Sequence, residues 1–184
     1  MENIAGSYQR FLEGDENGLT QIICAYSDSL ILYLNCYVRD ITLAEELAEE
    51  TFVKLVLKRP RFSGDSAFKT WLYAIARNVA IDHLRRERKR NVPMEACREL
   101  ADEKAYLEQK YLQQEQKLQL HAAMEQLKPE YRQVLWLVYF EQFSHKEIAK
   151  IMGKTTHNIE TLACRARQAL KTKLNKEGFI YEEL

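Results

Sequence analysis

The scarcity of glycine and proline is the feature that most constrains the fold of this chain. Its 184 residues include only six glycines and three prolines, and no glycine lies between Gly64 and Gly153. A fold rich in β-turns needs these residues at short intervals, because they adopt the backbone angles that turns require. The sequence therefore predicts an all-α protein.

Apolar periodicity and the prolines together indicate where the helices lie. Apolar residues recur at helical spacing in positions 19–38 and 43–58, which both precede Pro60. Proline tends to end one helix or open the next, so Pro60 marks the end of the second of these helices. A long apolar and basic run at 66–91 predicts a third helix in the same bundle.

The composition changes sharply after this run. Residues 92–116 are rich in Glu, Gln, Lys and Ala and contain few large apolar side chains, which is typical of a solvated linker that is helical in part. Apolar periodicity resumes afterwards, and Pro129 is placed to open a helix. We therefore expect two small helical domains, an N-terminal bundle at 1–91 and a C-terminal helix-turn-helix domain at 117–184, joined by the linker at 92–116.

Charge alternates along the chain although the formal net charge is zero. Residues 1–52 carry 2 basic and 10 acidic side chains, whereas residues 53–90 carry 11 and 3. The alternation recurs more weakly, with net charges of −3 at 91–130 and +3 at 131–184. A polyanion responds to a local stripe of cations rather than to the mean charge, so the zero sum does not exclude nucleic-acid binding.

Several classes of function have no support in the sequence. The four cysteines and four histidines show neither C-x-x-C nor H-E-x-x-H spacing, so we expect no metal and no cofactor. No carboxylate pair, nucleophile with a base or glycine-rich phosphate loop stands out, so we predict that the chain is not an enzyme. No apolar run reaches the roughly 18 residues that cross a bilayer, and no secretory signal is evident. We expect a cytoplasmic protein without membrane insertion.

The sharpest local motif lies in the C-terminal domain. Ser144 and Glu147 have the spacing of a capping box, which satisfies backbone N–H groups at a helix start. A helix at 146–152 ends at Gly153 and a second helix follows after a short turn, which is a helix-turn-helix pattern. In the second helix, a narrow stripe of apolar and small residues is expected to face the core: Ile159, Ala163, Ala166 and Leu170.

The opposite face of that second helix is polar and continues into a basic tail. Five basic and no acidic residues occur between positions 161 and 176. Base edges in the major groove require hydrogen-bonding groups and phosphates require positive charge, so this face is a candidate recognition surface. A solvated polar face on an ordinary bundle helix is the alternative. The candidate DNA contacts are Thr155, Thr156, His157, Asn158, Thr161, Cys164, Arg165 and Lys171.

Aromatic side chains and cations interleave in the segment at 62–90. On a helix, Trp71, Asn78 and Arg85 share one stripe, and the segment ends in a cluster of cations that would bind phosphates. Exposed aromatic rings provide stacking surfaces for unpaired bases, which indicates a protein that handles melted DNA. For four residues of this segment a buried core face is the alternative: Phe68, Leu72, Ile75 and Val79.

The helix predicted at 43–58 has an outer face that combines carboxylates with apolar side chains. This composition favours a protein partner, because charge complementarity sets the orientation and the association rate of such contacts. A solvated acidic face is the alternative. The candidate contacts are Glu46, Glu49, Glu50, Val53 and Leu57.

Three segments of the chain carry a resemblance to one protein family. AEELAEETFVKLVLKRPRF at 44–62 is similar to the core-polymerase-binding segment of the extracytoplasmic-function (ECF) sigma factors of bacterial RNA polymerase. FSGDSAFKTWLYAIARNVAIDHLRR at 62–86 resembles their promoter-melting and minus-10 segment. LKPEYRQVLWLVYFEQFSHKEIAKIMG at 127–153, followed by RARQAL at 165–170, resembles their minus-35-binding domain. Three motifs in the expected order are far more specific than any one of them.

The resemblance implies a dissociable, non-catalytic subunit that directs transcription initiation at particular promoters. Its partners would be promoter DNA and core RNA polymerase, bound through the clamp helices of the largest subunit and the flap region, with an anti-sigma protein as a further candidate. The loop at 61–67 would capture a base flipped out of the non-template strand. The candidate minus-10 contacts are Arg61, Phe62, Ser63, Gly64, Asp65, Ala67, Phe68, Trp71, Asn78, Arg85, Arg86 and Arg88.

The second helix of the helix-turn-helix departs from the family pattern. The family often has Thr-Val-Lys-Ser-Arg-Leu where this chain has NIETLA at 158–163. Two cations are replaced, one of them by Glu160, so we expect weaker phosphate anchoring or a different minus-35 sequence. A helix-turn-helix regulator that acts without polymerase is the alternative function, but it leaves the aromatic and basic segment at 62–90 without a role.

Overall fold

The computed structural model describes residues 4–89 and 115–176, and the chain divides into two compact units, Met1–Met94 and Glu95–Leu184. The described residues form eight helices and no strand. This architecture confirms the predicted all-α fold class with two helical domains. Most of the predicted linker, residues 92–114, lies outside the described residues, and Glu115 already belongs to a helix.

The N-terminal unit contains four helices: α1 (Ile4–Leu12), α2 (Glu16–Val38), α3 (Ile41–Lys58) and α4 (Phe68–Lys89). Helix α2 is central because it contacts the other three, and it is buried without interruption from Leu30 to Val38. Asp15 and Asp40 cap the starts of α2 and α3 by accepting hydrogen bonds from backbone N–H groups, at 3.0 and 3.1 Å. Both helices end at a left-handed arginine, which turns the chain sharply.

Helix α1 is an element that the sequence patterns above do not predict. A helix of nine residues is marginal in isolation, so its stability comes from packing against α2. The two helices approach closely at Gly18, where an added Cβ would lie 2.2 Å from the carbonyl oxygen of Ser7. Only glycine permits this approach, which buries Tyr8 and Phe11 against the rest of the unit.

The C-terminal unit contains α5 (Glu115–Glu125), α6 (Pro129–Tyr139), α7 (His145–Met152) and α8 (Thr156–Lys176). Helix α8 contacts the other three helices of the unit. Pro129 opens α6 as expected, and Ser144 and Glu147 form the predicted capping box at the start of α7. Gly153 ends α7 in the left-handed conformation, with a φ of 62°. The helix-turn-helix is therefore present where the sequence predicts it.

A buried polar network lies in the core of the C-terminal unit. Arg132 on α6 forms an ion pair with Glu125 on α5 at 3.6 Å, and its guanidinium also donates to the Glu125 backbone carbonyl at 3.3 Å. The two side chains are only 2% and 7% exposed. The Trp136 indole N–H donates to Glu141 Oε1 at 3.3 Å, in the turn before α7. These contacts join α5 to α6 and hold the turn that precedes the helix-turn-helix.

Candidate protein and nucleic-acid interfaces

The outer face of α3 exposes apolar side chains beside carboxylates. Val53, Val56 and Leu57 form an apolar ridge whose members are 49%, 37% and 77% exposed, while Glu46 and Glu49 are exposed on the same helix. Isolated exposed apolar residues are ordinary, but a contiguous group rimmed by charge is typical of an interaction site. The opposite face of α3 is buried: Ala44, Leu47, Ala48 and Leu55.

Glu50 behaves differently from the other predicted contacts on this helix. It is half-buried, and its carboxylate pairs with Lys54 at 3.1 Å and with Arg86 on α4 at 3.6 Å. Its charge therefore also has a structural role within the unit, where it joins α3 to α4. Arg86, predicted as a DNA contact, shares that ion pair while its side chain stays 57% exposed.

A groove of about 770 Å³ runs beside the apolar ridge, between α2 and α3. Its lining is mainly apolar, with Leu19, Ile23 and Ile31 from α2 and Phe52 from α3. Glu45 and Glu49 add two carboxylates to the lining, and Val53, Val56 and Leu57 belong to it as well. The groove and the ridge therefore form one continuous apolar and acidic surface, which suits a partner that carries apolar side chains and positive charge.

The loop at 61–67 exposes most of its predicted contacts. Arg61, Ser63, Gly64, Asp65 and Ala67 are exposed. The Ser63 hydroxyl donates to Asp65 Oδ2 at 2.5 Å, which gives the loop an internal bond. Gly64 has a φ of 81°, a conformation that favours glycine, although an added Cβ would meet no atom within 4 Å. The loop is thus a shaped surface with hydrogen-bonding groups directed to solvent.

The aromatic side chains around this loop pack against one another. We call Tyr8, Phe62, Phe68 and Trp71 the aromatic cluster. The Phe62 ring lies 5.5 Å from Phe68 and 5.4 Å from Trp71, between ring centroids. Phe62 and Trp71 are half-buried, but Phe68 is only 5% exposed. Phe68 therefore supports the loop from the core side, whereas the other two keep part of their surface open to solvent.

The second half of α4 presents the remaining predicted minus-10 residues. Asn78, Arg85 and Arg88 are exposed. Arg85 forms an ion pair with Asp82 one turn earlier, at 3.0 Å, on a surface where such pairs are weak and easily exchanged for other anions. Leu72 and Val79 are buried and Ile75 is half-buried, so α4 does have the core face that the sequence left open as an alternative.

Helix α8 separates its core face from a polar face as predicted. The expected stripe is fully buried: Ile159, Ala163, Ala166 and Leu170. The opposite side is polar, and most of its predicted contacts are exposed: Thr156, His157, Asn158, Cys164, Arg165 and Lys171, with Thr161 half-buried. The hydroxyl of Thr155 accepts a hydrogen bond from the Asn158 N–H at 3.2 Å, so this threonine caps the helix.

Two features of the structure were not predicted from the sequence: the role of Tyr8 and the buried ion pair. Tyr8 reaches the aromatic cluster from α1, and the spacing of Ile4, Tyr8 and Phe11 at i, i+4 and i+7 was the available signal. The ion pair of Glu125 and Arg132 left no local signal, because its partners lie on different helices and each is common on exposed helix faces.

The described segments, 4–89 and 115–176, contain neither a candidate metal site nor a candidate membrane-spanning helix. There, no three His, Cys, Asp or Glu side chains group closely enough to hold a metal ion. Within those same segments, no helix combines the length and the apolar character needed to cross a bilayer.

Comparisons with known proteins match both units. The family model for sigma-70 region 2 matches residues 23–90, and the model for sigma-70 region 4 matches residues 117–170. RNA polymerase sigma-H factor of Pseudomonas aeruginosa is 30% identical over 175 residues, which cover 90% of this chain and 91% of that protein. RNA polymerase sigma factor YlaC of Bacillus subtilis is 31% identical, with 82% and 88% covered. ECF RNA polymerase sigma factor SigM of the same organism is 29% identical, with 86% and 96% covered.

Solved structures show the same fold. The sigma factor RpoE, in complex with the anti-sigma factor NepR from Bartonella quintana, aligns with a TM-score of 0.67 and 23% identity, over 85% of this chain and 96% of that one. CnrH in complex with the cytosolic domain of CnrY aligns with a TM-score of 0.66 and 18% identity, over 94% and 95%. With both sigma-70 regions matched in order, this chain belongs to the ECF sigma factors of bacterial RNA polymerase, which direct promoter-specific initiation of transcription.

Proposed function

We propose that this sigma factor binds core RNA polymerase through the outer face of α3. Glu46, Glu49 and Glu50 provide the negative charge, and Val53 and Leu57 provide the apolar contact. The clamp helices of the largest polymerase subunit are the partner of this face, and the flap region is the partner of the C-terminal unit. Family membership disfavours a regulator that works without polymerase. In this proposal the sigma factor contributes binding and promoter specificity rather than catalysis. It acts in the cytoplasm.

The exposed apolar ridge beside the carboxylates is the observation that carries this proposal. Leu57 is 77% exposed beside the exposed Val53 and Val56, and a partner that covered this contiguous apolar group would gain the free energy of its burial. The lining of the adjacent groove continues the same combination of apolar and acidic groups, so a partner helix that covers the ridge would bury both. The half-buried Glu50 sits inside this face and also pairs with Arg86, which gives it a structural role besides its proposed contact.

The minus-10 element is bound by the 61–67 loop and by the exposed side of α4. The loop accepts a base flipped out of the melted strand, and the partly open faces of Phe62 and Trp71 stack with neighbouring bases. Asn78 provides hydrogen-bonding groups, and Arg85, Arg86 and Arg88 bind phosphates. Flipping a base costs a few kcal/mol, and stacking returns about 1–3 kcal/mol for each base. Binding to the melted strand thus supports opening without any catalytic group.

The minus-35 element is bound by the polar face of α8. His157, Asn158 and Thr161 are close enough to the start of the helix to contact base edges, and Arg165 and Lys171 contact phosphates along the groove. Thr155 acts as the helix cap that positions them. The solved structure of the sigma factor RpoE contains the anti-sigma factor NepR, and an anti-sigma protein is a further partner that we propose for this chain.

The experiment that tests the polymerase interface replaces Leu57 with aspartate. We expect Leu57→Asp to weaken the binding of the full-length chain to core polymerase by roughly tenfold or more, because a charge would replace an apolar contact at the interface. Thr42→Asp is the matched control, since it adds the same charge at an exposed position of the same helix, about 22 Å along its axis. Affinity is measured by fluorescence titration of the labelled chain with core polymerase. Equal affinities for the two variants would place the interface elsewhere.

A further inference from the structure

The loop at 61–67 is attached to α1 by a long-range hydrogen bond. The hydroxyl of Tyr8 donates to the backbone carbonyl oxygen of Pro60 at 2.7 Å, across a separation of 52 residues. Pro60 directly precedes the loop and follows Arg59, which ends α3 in a left-handed conformation with a φ of 39°. The bond therefore holds the chain at the point where it leaves α3 and enters the loop.

The ring of Tyr8 reinforces this attachment from the core side. Tyr8 is only 1% exposed, and its ring centroid lies 5.5 Å from that of Phe68 and 5.2 Å from that of Trp71. Phe62, the one loop residue in the aromatic cluster, packs against the same two rings. Tyr8 thus contacts the residue before the loop directly. It supports Phe62 indirectly, because both side chains pack against Phe68 and Trp71.

Helix α1 is fixed firmly enough to transmit this constraint. The Ser7 hydroxyl donates to Gln21 Oε1 at 2.7 Å, and the Arg10 guanidinium donates to the same oxygen. At Gly18 the two backbones lie directly against each other, since an added Cβ would lie 2.2 Å from the carbonyl oxygen of Ser7. Burial raises the pKa of Tyr8 to about 12, so its hydroxyl keeps its proton and remains a hydrogen-bond donor at neutral pH.

We propose that Tyr8 is a positioning residue for promoter opening, which orients the 61–67 loop through the Pro60 carbonyl and the aromatic cluster. This inference rests on the proposed role of the loop in binding a flipped base. Tyr8 lies outside residues 23–90, the segment that matches sigma-70 region 2, so it adds to the machinery a residue from α1. It does not contact DNA, and acts only through the loop.

The test compares two tyrosines that each lose one buried hydroxyl. Tyr8→Phe keeps the ring and removes the bond to Pro60. Tyr37→Phe is the matched control, because its hydroxyl is also buried and hydrogen-bonded, to Tyr33 at 2.8 Å, yet it lies on α2 away from the loop. Both variants are assembled with core polymerase, and open-complex formation is followed by permanganate footprinting alongside closed-complex binding by mobility shift. Base preference is measured with the four bases at the position that the loop recognises.

We expect Tyr8→Phe to slow opening about three- to tenfold, the change that one lost hydrogen bond produces, and to reduce discrimination among the four bases. Core binding and closed-complex binding should stay unchanged, and Tyr37→Phe should open promoters at the wild-type rate. Equal slowing by both variants would overturn the proposal, because it would show a general loss of stability. Wild-type opening and wild-type base preference in Tyr8→Phe would overturn it as well.

A measurement on the free protein keeps the inference testable without promoter activity. Hydrogen exchange of the amides at 61–67 should be faster in Tyr8→Phe than in the wild type and unchanged in Tyr37→Phe. Unchanged exchange in Tyr8→Phe would contradict the inference.

Asp65→Ala in the loop itself separates this inference from the function on which it rests. If Asp65→Ala alters base preference but Tyr8→Phe does not, the positioning role alone fails. If neither does, the proposed role of the loop fails too.

Discussion

The two units of this sigma factor bury different kinds of polar groups. Apart from tyrosines, the buried polar side chains described in the N-terminal unit carry no ionisable group: Ser7, Ser29, Asn35, Thr51 and Thr70. Those of the C-terminal unit include ionisable groups: His121, Glu125, Arg132 and Glu141. A buried charge is tolerated only with its partner in place, whereas a buried aromatic ring needs only a complementary space. The C-terminal unit therefore depends on specific pairing, and the N-terminal unit depends mainly on packing.

The buried groups also make the two units sensitive to opposite changes in pH. Burial lowers the pKa of His121 below its ordinary value of 6.5, an effect that Glu125 opposes and Arg132 strengthens. In the N-terminal unit, burial instead raises the pKa values of Tyr8, Tyr33 and Tyr37 above 10.0. A buried imidazole becomes charged in acid, and a buried phenol becomes charged in alkali. Acid should therefore destabilise the C-terminal unit, and alkali the N-terminal unit.

Removing one partner of the buried ion pair should have the largest effect on stability. Glu125→Gln keeps the size of the side chain but removes the negative charge that pairs with the buried Arg132 guanidinium. We expect the C-terminal unit to lose about 3 kcal/mol of unfolding free energy. The measurement is urea denaturation followed by Trp136 fluorescence in a Trp71→Phe background, since each unit contains one of the two tryptophans.

An exposed pair in the same unit provides the control for this prediction. Glu130 pairs with Lys154 at 3.3 Å, and its side chain is 61% exposed. Glu130→Gln makes the same chemical change, and we expect it to cost less than about 1 kcal/mol. If the two variants lost equal stability, the buried network would not be what distinguishes the C-terminal unit.

Acid should destabilise the C-terminal unit through His121. The unfolded chain takes up the imidazole proton near pH 6.5, whereas the folded unit takes it up only at lower pH. The free energy of unfolding should therefore fall as the pH drops below 6.5, until the pKa of the folded state is reached. Urea titrations at several pH values should show this slope in the wild type and a shallower one in His121→Gln. An identical slope in both proteins would assign the acid sensitivity to other groups.

The N-terminal unit should respond only mildly to the loss of a buried hydroxyl. Tyr37→Phe removes the hydrogen bond to Tyr33, and we expect it to cost about 1 kcal/mol without affecting the C-terminal unit. Denaturation followed by Trp71 fluorescence in a Trp136→Phe background measures this change. A loss as large as that of Glu125→Gln would show that polar pairing matters equally in both cores.

The smallest expected change concerns the recognition face of α8 rather than either core. Glu160 is exposed on that face and lies 3.9 Å from His157. Glu160→Lys should strengthen minus-35 binding by holoenzyme and steepen its salt dependence by about one unit of slope, because it adds one phosphate contact. Glu160→Gln separates the loss of repulsion from the new contact, and should strengthen binding without the steeper slope. Unchanged affinity in both variants would mean that this position does not face DNA.

Local patterns in the sequence were sufficient for most of the fold. Helical spacing predicted α2, α3 and α4, and the capping box with Gly153 predicted the helix-turn-helix, because these signals depend on residues within a few positions of one another. The buried stripe of α8 followed from the same periodicity. Helix α1 was missed because nine residues give a short pattern, and its stability comes from contact with α2. The predicted contact residues and domain boundaries stay predictions.

The sequence by itself determined the all-α class, the succession of acidic and basic segments, and which face of α3 and of α8 is polar. Only the tertiary structure decided which polar groups pair with each other: Glu50 with Arg86, Glu125 with Arg132, and the Tyr8 hydroxyl with the Pro60 carbonyl. It also decided that Phe68 is buried under the 61–67 loop while Phe62 and Trp71 keep open surface. The reason is physical: periodicity records which way a side chain points on its own helix, whereas its partner is fixed by how distant helices pack.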